Sequence, residues 1–159
     1  MTLINFNTDF VDRLPTPVFA SPQVQIITDS ATLGELSLAP TESCGVVIGD
    51  PSRGCLFLRL PNRSDRPDRH FRIAPEDVGL LEENRLPFTA VWHSHPPLKS
   101  GPGRRTAEDD RQAGAAASTF DLDYHPIDYR LMIIHAGVLR EFDLAGAVIK
   151  EWLTESAVV

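Results

Sequence analysis

Residues 44–60, CGVVIGDPSRGCLFLRL, hold two apolar runs separated by the turn signal DPSRG. Each run is long enough for one strand, and Asp, Pro and Gly cluster between them, so the stretch reads as a β-hairpin. Working outward, VQII (24–27) reads as a short strand, and FTAVWHSH (88–95) and RLMIIH (130–135) read as two longer ones. Between them PNRSDRPDRH (61–70) is too charged and proline-rich to continue a sheet, and HFRI (70–73) is expected to rejoin it briefly. The last run, VLREFDLAGAVIKEWL (138–153), fits two strands around Ala145-Gly146 or a strand and a short helix, and the two-strand reading is preferred.

Three helices fit between the strands. Asp29 and Ser30 precede Leu33 and Leu36, which are spaced as a short helix needs. Pro75, Glu76 and Asp77 suit the first turn of a helix running to about Asn84, with acidic side chains where the dipole favours them. TAEDDRQAGAAAS (106–118) has the cap and the alanine content of a third. Strands mixed with a few helices, and no internal repeat, place the chain in the α/β or α+β classes.

A chain of 159 residues has the size of one domain and buries a core without staples. Residues 1–22, with two prolines among polar residues, read as an extended arm packed loosely on a domain spanning 23–159. The net charge of −7 argues against a nucleic-acid partner, because no basic field is present to displace counterions from phosphates. Neither a basic, apolar leader nor a run long enough to span a bilayer is found, so a cytoplasmic protein with no membrane partner is expected. Cys44 and Cys55 flank the hairpin turn; reduced, buried thiols are favoured over a cross-strand disulfide, and without a CxxC pair they suggest no thiolate zinc site.

The residues with chemistry begin at His93-Ser94-His95-Pro96, at the end of an apolar strand. Residues two apart in extended chain project to the same side, so both imidazoles can face one metal ion. Thr106-Ala107-Glu108-Asp109 offers a carboxylate at a helix start, although alone it reads as a capping box. Glu42, in Glu-Ser-Cys-Gly just before the hairpin, supplies a further carboxylate. Two histidines, an aspartate and a separate glutamate are the set a hydrolytic zinc site needs: three ligands, an open position and a base.

In this order, ESCG, the hairpin, Asn62, a helix, VWHSHP and TAED, the chain resembles the JAMM or MPN+ metallopeptidases over residues 24 to about 153. That family's pattern is a glutamate, then HxHP, then Ser-x-x-Asp. The resemblance implies a single MPN/JAMM domain with a mixed sheet flanked by helices, cytidine-deaminase-like in fold. It also implies Zn²⁺ held by His93, His95 and Asp109, with Glu42 as general base and Thr106 assisting the oxyanion. Ser94 and Pro96 are expected to shape the strand end. Two departures stand out: nine residues separate Pro96 from Thr106, more than the family's usual spacing, and threonine replaces serine. Other metal families fit less well. The aspartate-histidine pair of metallo-β-lactamases, the HxE and PCxxC of zinc deaminases and the HExxH of zincins are all missing.

The substrate implied by the resemblance is the peptide or isopeptide bond after the tail of a ubiquitin-like protein. Its conjugates, and activating and conjugating enzymes of the same pathway, are the implied partners. A bacterial, stand-alone deconjugating or precursor-processing enzyme is favoured over a phage tail-assembly peptidase, whose relatives often carry a second, papain-like domain. A non-catalytic MPN-type scaffold is the alternative of another class, and retention of all four positions argues against it. Lys99, Arg104 and Arg105 in the long loop are read as solvated surface, with contact to the modifier as the alternative. His70, His125 and His135 lie outside the metal spacing and are assigned surface or packing roles. Trp92 is expected to face the core and Trp152 to pack across the domain.

Overall fold

The computed structural model describes residues 2–96, 115–117, 121 and 129–155. Their centre is one mixed sheet of eight strands: β1 (Thr2–Leu3), β2 (Gln25–Ile27), β3 (Cys44–Asp50), β4 (Gly54–Leu60), β5 (Ala90–Ser94), β6 (Arg130–His135), β7 (Val138–Phe142) and β8 (Val148–Leu153). The spatial order is β1-β8-β7-β6-β5-β3-β4-β2. The β1/β8 and β5/β6 pairs are parallel and the others antiparallel. Helices α1 (Thr16–Phe19), α2 (Ser30–Leu36) and α3 (Pro75–Glu83) and a 3-10 turn at Thr8–Arg13 accompany it, an α+β arrangement. No helix among the described residues is long and apolar enough to cross a membrane.

The hairpin forms as its sequence reads, with Cys44 opposite Leu60 and Asp50 opposite Gly54. Strand β5 lies between β3 and β6 and is buried along its whole length, in keeping with the apolar Ala90, Val91 and Trp92 that precede His93 and Ser94. Alternation along the strands separates two cores. Val47, Phe57, Ala90, Trp92, Met132 and Ile134 pack on one side with Leu33 of α2. Val46, Ile48, Leu56, Leu58 and Leu60 pack on the other with Val18 of α1 and Leu81 of α3. Helix α2 starts where Asp29 accepts the Thr32 amide at 2.7 Å, and α3 ends at Asn84.

Trp92 fills the first core, with its indole Nε1 donating to the Leu58 carbonyl at 3.2 Å. Its register partner is Gly45, and a Cβ there would lie 1.8 Å from that same Leu58 oxygen. Gly45→Ala is therefore expected to cost about 3 kcal/mol of unfolding free energy, the upper end of the range for an overpacked core, because the clash is with backbone. Urea denaturation measures this, and a wild-type midpoint in the variant would contradict it.

Two expectations are corrected. The first twenty-two residues are not a loosely packed arm: Leu3 pairs with Leu153, Asn7 N–H donates to Cys55 O at 3.0 Å, and Ile4, Leu14 and Val18 are buried. A two-residue strand and short helical turns carry too little periodicity to announce this. HFRI does not rejoin the sheet: its backbone bonds instead to the loop after β4, at the Asn62 side chain and through Arg63 N–H to Arg72 O at 2.8 Å. Both cysteines are buried free thiols, and burial pushes each up to about 12. The C-terminal run forms the two strands β7 and β8, with Trp152 buried and bonded to Ser52 Oγ at 2.9 Å.

Candidate metal centre

The end of β5 delivers the two histidines. His93 stands opposite Cys44 on β3 and Ile133 on β6, and it is fully buried. Phe71 stacks on its ring, with centroids 4.3 Å apart and planes 19° from parallel. Ser94 points the other way and joins the neighbouring loop. Its N–H donates to Ser43 O and its Oγ accepts the Ser43 N–H, both at 2.8 Å. This reciprocal pair sets the residue after Glu42 against the residue between the histidines, the strand-end shaping expected of Ser94. His95 follows β5, and its N–H donates to Ile134 O at 3.0 Å.

Glu42 is held by its backbone at both ends. Its N–H donates to Pro67 O at 2.6 Å, and its carbonyl accepts from Asn62 Nδ2 at 2.9 Å. The same Asn62 amide nitrogen reaches His70 O, while Asn62 Oδ1 accepts the amides of Ser64 and Arg72. One side-chain amide thus fixes both Glu42 and the segment that carries Phe71 onto His93.

These elements converge on a single point. His93 Nε2 and His95 Nε2 lie 3.2 Å apart, and each faces one oxygen of Asp121, at 3.1 Å and 3.0 Å. With Glu42, the four ligand atoms lie within 4.8 Å of one another. A tetrahedral zinc with bonds of about 2.0–2.1 Å has ligand edges of about 3.3 Å, close to these separations. A hydrogen-bonded His–Asp–His array would also bring each Nε2 to a carboxylate oxygen. It would, however, press two N–H donors together at 3.2 Å, a conflict that a shared cation removes. The group Glu42, His93, His95 and Asp121 can therefore hold a metal ion.

The electrostatics separate the two acids. Burial alone would raise the Asp121 carboxyl, but hydrogen bonds from His93 and His95 outweigh it and hold the group well below the usual carboxylate range. Glu42 moves the other way: burial raises it from 4.5 to about 7, against the opposing pull of His95. Among the described residues no donor reaches Glu42 Oε1. In the metal-free protein one acid stays ionised, as a ligand should, and the other keeps its proton to about pH 7; a bound cation would lower the second.

The raised value has a consequence for stability in the metal-free protein. Between pH 4.5 and about 7 the folded state keeps a proton on Glu42 that the unfolded chain has released. Stability contributed by this group therefore falls as pH rises through that window. Thermal melts in chelator across it should show the wild type losing stability relative to Glu42→Gln, and parallel pH profiles would contradict this.

Of the residues expected from sequence, His93, His95 and Glu42 are brought together, while Thr106, Asp109, His125 and the Lys99–Arg105 loop lie outside the described residues. Asp121 is the carboxylate the sequence reading passed over. Its signal was present: Ser118-Thr119-Phe120-Asp121 repeats Ser-x-x-Asp with serine itself, at a greater distance from Pro96 than TAED. Compared with known proteins, the chain matches no family model and no curated protein.

Proposed function

We propose that the chain is a zinc-dependent peptidase of JAMM or MPN+ type, with the cytidine-deaminase-like fold that this family implies. His93, His95 and Asp121 are the zinc ligands in this reading, with Asp121 in the role that TAED suggested for Asp109. The observation that carries it is the convergence of two Nε2 atoms on an ionised aspartate beside a glutamate raised to about 7. Zinc bound there supplies Lewis acidity toward a carbonyl and toward water.

The chain's own residues do the rest. Glu42, with no other hydrogen-bond donor at Oε1 among the described residues, accepts the proton of the attacking water and passes it to the leaving amine. Asn62 and the Ser43–Ser94 pair keep that carboxylate aimed at the histidines. Phe71 covers one face of His93 and keeps its ring from turning.

A groove of about 870 Å³ is lined by Val46, Phe71, Ile73, Phe88, Val91 and Tyr129, with Arg63, Arg66 and Arg72 along it; Phe71, which stacks on His93, is its link to the metal group. Val91 lies two residues before His93 on the same face of β5, so the groove and the metal group share that face of the sheet. This supports an extended peptide as substrate, in keeping with the tail of a ubiquitin-like protein, and with activating and conjugating enzymes as partners of the pathway. The test is cleavage of fusions that carry such tails by zinc-loaded wild type and Glu42→Gln. Cleavage that depends on Glu42 supports the proposal, and equal rates from the two proteins refute it.

A further inference from the structure

His135 closes β6 and is buried, 6% exposed. Its ring Nδ1 lies 2.9 Å from the carbonyl oxygen of His95. A carbonyl only accepts, so Nδ1 carries the proton and donates. Both backbone groups of His95 are thereby bonded to β6: N–H to Ile134 O, and C=O to the His135 ring. This matters because β5 ends at Ser94, where its register with β6 reaches Ile134. His95 stands one residue beyond the ladder and is followed by Pro96, which has no N–H with which to continue it.

We infer that His135 is a positioning residue for the metal centre: its ring fixes the His95 peptide plane and so the direction in which His95 presents Nε2 to His93 and Asp121. The inference rests on the metal-site reading above. It assigns a role beyond packing to a histidine outside the ligand spacing. Groups outside the ligand set that orient a ligand typically change metal affinity about 10–100-fold when removed.

The test compares His135→Asn, His135→Gln and His135→Leu. The Asn amide nitrogen sits as many bonds from Cα as Nδ1 does, whereas the Gln nitrogen is one bond farther out, and Leu fills space without a donor. Zinc affinity is measured by competition with a chromophoric chelator, and the stability of each metal-free variant by thermal melts. Wild-type-like affinity in the Asn variant, with about tenfold or greater weakening in Gln and Leu, is expected. Equal affinity in Asn and Gln overturns the inference, as does a loss of affinity that simply follows lost metal-free stability across the three. Should Leu fail to fold, the Asn–Gln comparison decides. Failure of the wild type to bind zinc would instead sink the metal-site reading itself.

Discussion

Asp121→Ala is expected to weaken zinc binding by more than about 100-fold and to abolish one-to-one stoichiometry, while Asp109→Ala leaves both unchanged. Loss of an orienting group outside the ligand set already costs 10–100-fold in metal affinity, and loss of a ligand costs more. Asp121 is the carboxylate that faces both imidazoles, at 3.1 Å and 3.0 Å. It is 4% exposed and stays ionised against the cost of its burial. Removing it leaves two neutral imidazoles beside Glu42, one ligand short of the three that a catalytic zinc site takes in this reading. Metal analysis after gel filtration, with chelator competition for affinity, checks both variants. Zinc lost in Asp109→Ala and kept in Asp121→Ala would return the third ligand to the TAED segment.

Glu42→Gln is expected to keep zinc and lose hydrolysis, by about 10²–10⁴-fold, the range of a removed general base. The amide replaces the carboxylate almost atom for atom, so the backbone bonds to Pro67 and Asn62 persist and the variant folds. Single-turnover cleavage of a fusion, alongside zinc titration, separates the two effects. Loss of zinc in this variant would make Glu42 a ligand rather than a base. Cleavage at the wild-type rate would remove it from the chemistry.

The contrast between Asp109 and Asp121 shows what a sequence pattern conveys and what it does not. His93 and His95 were legible because their spacing of two is local, and a strand turns it directly into a shared face. The hairpin was legible for the same reason: run, turn and run lie within seventeen residues, 44–60. Asp121 lies 26 positions from His95, and two tetrapeptides in that interval fit the Ser/Thr-x-x-Asp form. No periodicity chooses between them; of the two aspartates Asp121 is the one among the described residues, and it faces both imidazoles.

The roles of Asn62, Phe71 and His135 were hidden for a different reason. Asn62 and His135 bond to backbone groups, which every residue carries, so the identity of their partners left no trace in sequence. Phe71 was read as part of a segment that briefly rejoins the sheet. Instead the Asn62 amide bonds the chain at His70 and Arg72, on either side of Phe71, whose ring stacks on His93. The N-terminal segment was missed because the partner of its two-residue strand, β8, lies at the other end of the chain.

The most direct measurement is anomalous diffraction at the zinc edge from crystals of the zinc-loaded protein. One strong peak is predicted, within bonding distance of His93 Nε2, His95 Nε2 and an Asp121 oxygen, with Glu42 near but not bonded to it. A peak elsewhere, or none at that point, would contradict the account.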